Sequence, residues 1–141
     1  MDILKGGVIV PDVYLSPSTQ ENEYITGGNE ESYMNLIVDA MVPYLRVNGI
    51  DFARNNPGDS INEIIGQSNE RIRDLYMALR SGYSPEEAKT PLQGINVYHY
   101  AYTPVGGERA AHYIAENLKK IYPYPNLVTI IPADTRELRD T

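Results

Sequence analysis

A chain of 141 residues with 42% hydrophobic content is long enough to bury one core and too short for two ordinary domains, so it reads as a single domain over 1–141. Its 12 basic residues stand against 19 acidic ones, a net charge of -7, and no basic stripe gathers them, which argues against nucleic acid. No cysteine is present, so disulfides and thiolate metal sites are excluded and any metal would rest on His, Asp or Glu.

The N-terminal apolar stretch Val8-Ile9-Val10 is far shorter than a signal-peptide core or a membrane span. A soluble chain without a membrane partner is expected, cytoplasmic or released by lysis. Residues 8–12 contain Pro11 and read as an irregular lead-in to a strand over 13–15. Residues 16–28 form a long polar loop, of the length that often carries function.

Asn29 is a candidate N-cap, and Glu30 and Glu31 lie in the first turn, where the helix dipole favours anions. Tyr33, Ile37, Ala40, Met41, Tyr44 and Leu45 then recur at helical spacing, with a kink expected near Pro43 and a stop at Gly49. A short strand over 50–54 leads into the turn run Asn55-Asn56-Pro57-Gly58-Asp59. Ser60 and Glu63 match a capping box that opens a helix bearing Ile61, Ile64 and Ile65.

Leu75 to Leu79 is a continuous apolar run, expected as a strand buried on both faces. A polar loop over 81–93 follows. Residues 94–102 alternate, with Asn96, Tyr98, Tyr100 and Tyr102 on one face and Ile95, Val97, His99 and Ala101 on the other. The amphipathic pattern over 107–121 predicts a helix packed through Ala110, Tyr113, Ile114 and Leu118, and 127–131 predicts a last strand. Twelve tyrosines against one phenylalanine suit boundary positions, where a ring is buried and a hydroxyl stays wet.

Alternating strands and helices imply crossover connections, hence an α/β fold with a mostly parallel sheet of about five or six strands and helices on both faces. In such sheets ligands sit beyond the carboxyl ends of the strands. Thr19, Asn55 and Arg80 would share that rim, joined by the helix start at Glu31. Tyr100 ends the tyrosine strand and is a further binding candidate. His99 and His112, the only imidazoles, have no acidic residue at a ligand spacing from both and read as core or surface histidines. Neither Ser16, Ser18 nor Thr19 has a His-Asp partner in view for nucleophilic catalysis.

Taken in order, Val13 to Gln20, Glu31 with Asn35, Gln67-Ser68-Asn69, Asp74 to Leu79, Gly94 to Tyr100 and Glu137-Leu138-Arg139 resemble the zinc-dependent N-acetylmuramoyl-L-alanine amidases. The resemblance implies an amidase-like α/β fold and a zinc ion held by a first-loop His, a Glu at the head of the next helix and a His after the third strand. It implies a late Glu as general base. Carried onto this chain, the first His falls on Thr19 and the second on Arg80, the Asn two residues later is Gly82, and Glu31 is the one surviving ligand. The chain ends at Thr141, before the strand on which the family's catalytic Glu would lie.

The expected site residues are therefore Glu31, Arg80, Thr19, Asn55 and Tyr100 for binding, with no catalytic residue and Glu31 alone available to a metal. No cofactor is expected, zinc entering only if the chain is an active amidase. Arg80 is expected to fill the place of the metal and to reach Glu31 through its planar fork. The leading expectation is a degenerate, non-catalytic module that binds a peptidoglycan fragment (muropeptide) or a protein partner. The alternatives are an active amidase cutting between muramic acid and L-alanine, or a structural subunit of a phage or spore-associated particle. An open sheet edge would draw the last of these into a homo-oligomer or larger assembly.

Overall fold

The computed structural model describes residues 10–82, 93–102 and 106–141. The expectations for residues 8–9 and for most of the 81–93 loop lie outside them. The chain divides into two compact units, Met1–Tyr83 and Ser84–Thr141. No helix among the described residues is long and apolar enough to cross a membrane.

In the first unit three parallel strands, β1 (Asp12–Pro17), β2 (Asp51–Arg54) and β3 (Leu75–Leu79), hydrogen-bond in the order β2-β1-β3. Helix α1 (Glu30–Val47) joins β1 to β2, and α2 (Ile61–Ser68) carries the chain from β2 across β1 to β3. These two crossovers run in opposite directions, so right-handed connections place the helices on opposite faces of the ladder. The side chains agree. Leu15 and Arg54 are register partners on one face, where Arg54 donates to Asp39 and Asn35 of α1, while Tyr14 on the other face donates to Gln67 of α2.

Both faces of β1 are thus covered, and Tyr14, Leu15, Ser16 and Pro17 are buried with Val38 of α1 and Ile64 of α2. Each large apolar side chain so enclosed contributes about 1.5–3 kcal/mol. β3, expected to be buried on both faces, is half-buried along its length, because it is an edge of this ladder.

The helix ends follow from local chemistry. Asn29 caps α1 by accepting from the Ser32 amide, and the Ser60–Glu63 capping box opens α2 with both of its hydrogen bonds. α1 runs past Pro43 and closes in a Schellman turn, with the Gly49 amide on the Arg46 carbonyl and the Ile50 amide on the Leu45 carbonyl. Gly49 sits at φ +67°, which a side chain would oppose.

α1 departs from expectation in the face it buries. Met34 and Val38 are enclosed, with Met41 and Leu45 half-buried beside them, while Tyr33, Ile37 and Tyr44 are exposed. The helix is apolar on two sides, and only one of them meets the sheet.

At the amino ends of the strands a polar cluster ties the ladder together. Asp12 pairs with Arg73 at 3.0 Å and Arg71 at 2.7 Å, and its amide donates to Asp74. Arg73 also donates to the Gln67 and Ser68 carbonyls and lies over the Tyr14 ring, whose register partner Tyr76 is stacked beside it. The Tyr14 hydroxyl donates to Gln67 Oε1 at 2.6 Å, and Gln67 Nε2 donates to Asp59.

Burial pushes the Tyr14 phenol up to about 12, with the Asp59 carboxylate adding to the rise and Arg73 opposing it. The folded value lies above the unfolded one, so this contribution is complete below pH 10 and is lost as pH rises through about 12. Tyr14→Phe is expected to cost about 1 kcal/mol at neutral pH. It should also lose less stability than wild type between pH 10 and 12, as urea unfolding along a pH series would measure.

The described residues of the second unit form one βαβ turn. β4 (Ile95–Tyr100) and β5 (Val128–Ala133) pair in parallel, joined through α3 (Gly106–Ile121) and a 3-10 turn at Pro125–Leu127, and α4 (Arg136–Asp140) follows. α3 buries the small residues Ala111 and Ala115, with Ala110, Ile114 and Leu118 half-buried. Tyr113, expected on the packed side, is 73% exposed, because the buried line of the helix is centred on those two alanines.

One sheet of five or six strands is not what the described residues form. Their five strands make two ladders of three and two. Among the described residues α1, α2 and α3 each bridge strands of one ladder.

Candidate functional site

The carboxyl ends of β1 and β3 lie side by side, and the chain leaving β1 turns away toward β2. That is where open parallel sheets place ligands. Here the strand ends are laced together by polar groups. The Ser18 amide donates to the Leu79 carbonyl at 2.9 Å, and Asn55, buried just after β2, donates from Nδ2 to the Pro17 and Asn56 carbonyls. The Arg80 guanidinium donates from one nitrogen to the Ser16 carbonyl at 2.8 Å and to the Leu79 carbonyl at 3.2 Å.

The carboxylate of this rim belongs to Glu30. It is 3% exposed, with Oε1 accepting from the Ser81 amide at 2.8 Å and Oε2 accepting from Asn22 Nδ2 at 2.9 Å. The Tyr24 and Ser81 hydroxyls share a hydrogen bond alongside. The polar loop is shaped to permit this, because its Glu23–Asn29 bridge folds 23–29 back on itself and Gly28 at φ +77° lies against the Tyr33 ring. The amides of Glu30 and Glu31 then donate to the carbonyls of Asn22 and Gln20, which fixes the entry of α1.

Asn55 and Arg80 are therefore brought to one rim, at the carbonyls of Pro17 and Ser16, and Thr19 follows in the chain just after Ser18, whose amide bonds Leu79. Glu31 is not the group that reaches it. One helical position on from Glu30 is a turn of about 100°, and among the described residues the half-buried Glu31 side chain makes no hydrogen bond or ion pair. The expected Arg80–Glu31 fork is not formed, since the guanidinium is directed to the strand-end carbonyls of Ser16 and Leu79. Tyr100 ends β4 in the second unit, with its ring edge-on to Tyr102 at 5.6 Å.

Two residues escaped the sequence reading. Glu30 was visible only as a dipole-favoured carboxylate, and Ser81, which completes its hydrogen bonds, carries no motif. Ser16 Oγ and Asn55 Oδ1 are buried without a partner among the described residues, and both fall at this rim. Unsatisfied buried polar atoms each cost about 1–3 kcal/mol and tend to persist where function requires them.

The zinc ion implied by the amidase resemblance does not fit these residues. A catalytic zinc takes three protein ligands from His, Asp, Glu or Cys, and no group of three such residues converges among the described residues. Both oxygens of Glu30 already accept protein hydrogen bonds. A divalent ion about 4 Å from the Arg80 guanidinium would meet repulsion of about 8 kcal/mol at an effective dielectric near 20. His99 bonds the Tyr100 carbonyl, and His112 faces Glu108 along α3 at 4.0 Å, both in the second unit. No protein-family model matches this chain, and no curated protein matches it.

Proposed function

We propose that this chain is a degenerate domain of the N-acetylmuramoyl-L-alanine amidase type, without hydrolytic activity, that acts as a muropeptide-binding or structural module. One observation carries the reading. The rim carboxylate is committed to the Ser81 amide and Asn22, and the residue at the end of β3 is a permanent cation. Hydrolysis by this route needs a metal that polarises the carbonyl and activates water. A guanidinium at the strand ends and a carboxylate engaged by protein donors do neither, but a guanidinium is suited to recognising an anion. Arg80 is exposed, and a stem-peptide carboxylate is the group of a muropeptide that such a fork holds best.

The unpartnered Ser16 Oγ and Asn55 Oδ1 lie behind the same strand ends and favour a site here over a purely structural role. Calorimetric titration with a soluble muropeptide bearing a free stem carboxylate tests the reading. Binding that weakens at least tenfold in Arg80→Ala is expected. Absence of heat with wild type, or release of L-alanine-terminated peptides from cell-wall sacculi in the presence of zinc, would overturn it.

A further inference from the structure

Two buried polar atoms at the rim set a demand on what binds there. Asn55, 3% exposed, uses Nδ2 to bond the carbonyls of Pro17 at 3.4 Å and Asn56 at 3.1 Å. Turning the amide over would set its oxygen against both carbonyls, so the orientation is fixed and Oδ1 is left an acceptor without a donor among the described residues. Ser16 is fully buried, and its Oγ is in the same condition. Each of the two follows one of the register partners Leu15 and Arg54, so they stand on neighbouring strands at the same level.

An amide oxygen accepts and cannot donate, so the missing group is an N–H or an O–H. A bare ammonium in that enclosed place would need a carboxylate beside it, and the carboxylate of the rim, Glu30, already accepts from Ser81 and Asn22. The donor is therefore neutral. Arg80, in turn, is suited to an anion within reach of that donor.

Asn55 follows β2 and Arg80 follows β3, so the two flank the end of β1 from either side. Strands about 4.8 Å apart put those flanking positions about 9–10 Å from each other. The last residue of a peptide meets that spacing. Its N–H and its carboxylate are about 3–3.5 Å apart, and a hydrogen bond of about 2.9 Å at each end extends the span to about 9 Å.

We propose that this rim reads the C-terminal residue of a stem peptide, with the terminal carboxylate on Arg80, the last peptide N–H on Asn55 Oδ1 and the Ser16 hydroxyl donating to the carboxylate. The assignment deepens the muropeptide reading and rests on it. Enclosure makes the N–H contact decisive, since water cannot easily stand in for a donor that the ligand lacks.

The test is calorimetric titration with an N-acetylmuramoyl pentapeptide whose second residue is amidated and whose third is lysine, so that the C-terminal carboxylate is its only one. A depsipeptide twin, in which an ester oxygen replaces the last peptide N–H, should bind at least tenfold more weakly, because Oδ1 then faces a second oxygen. A twin ending in a carboxamide should lose at least as much. Ser16→Ala should weaken the parent probe at least threefold while its urea midpoint is unchanged or raised, since Oγ has no protein partner to lose. Equal affinity for peptide and depsipeptide, the result if trapped water already satisfies both atoms, would overturn the proposal and leave the muropeptide reading in place. So would binding of muropeptides with their other carboxylates free but not of this probe. No heat with any of them would overturn both.

Discussion

Replacing Asp12 with alanine should lower the unfolding free energy by about 3–5 kcal/mol, the range for removing one partner of a buried ion pair. Asp12 is 12% exposed in its side chain and Arg73 is 9% exposed, so the guanidinium left behind cannot recover its hydration. Its remaining acceptors are the Gln67 and Ser68 carbonyls, at 3.3 Å each, and neither carries a charge. The loss should spread, because Arg73 lies over Tyr14, and Tyr14 holds Gln67 and stacks on Tyr76 of β3. Arg71 binds the same carboxylate from a half-exposed position, and Arg71→Ala should cost about 1 kcal/mol or less. Urea unfolding of the three proteins separates the cases. Equal small losses would mean that the pair is screened by solvent rather than buried.

Removing the Glu30 carboxylate should cost about 3 kcal/mol, since two donors lose a charged acceptor inside the protein. The effect has a direction in the fold. The Ser81 amide lies just beyond β3 and Asn22 lies in the loop before α1, so Glu30 holds the end of one strand to the approach of the first helix. Glu30→Gln keeps one acceptor and sets an amide N–H against a donor, and should recover only part of the loss. Asn22→Ala removes a single half-buried partner and should cost about 1 kcal/mol. Glu31→Ala, by contrast, should change stability by about 0.5 kcal/mol or less, as an ordinary surface substitution does. A larger effect at Glu31 than at Glu30 would reverse the assignment of the rim carboxylate.

Much of the local structure was legible because it is written in short-range chemistry. Asn29, the Ser60–Glu63 box and the Gly49 turn mark helix ends whatever the rest of the chain does. The parallel pairing of β1, β2 and β3, and the gathering of Asn55 and Arg80 at their ends, followed from alternation of strand and helix.

What was not legible depends on rotation and partnership. Glu30 and Glu31 are equally good first-turn residues, and only the entry of the loop at Asn22 and Gln20 decides which one faces the strands. The same holds along α1, where Tyr33, Ile37 and Tyr44 keep helical spacing as faithfully as Met34, Val38 and Met41. Periodicity finds an apolar face, but cannot say which of two meets the sheet. The direction of Arg80 was misjudged because the carbonyls of Ser16 and Leu79 carry no sequence signature.

Titration of zinc into chelator-treated protein at neutral pH, followed by calorimetry and by thermal melting, tests most directly the claim that hydrogen bonds and a fixed cation have replaced metal chemistry at these strand ends. No stoichiometric heat and an unchanged melting temperature are predicted, for wild type and Glu30→Gln alike. One zinc ion bound per chain, raising the melting temperature of wild type but not of Glu30→Gln, would contradict it.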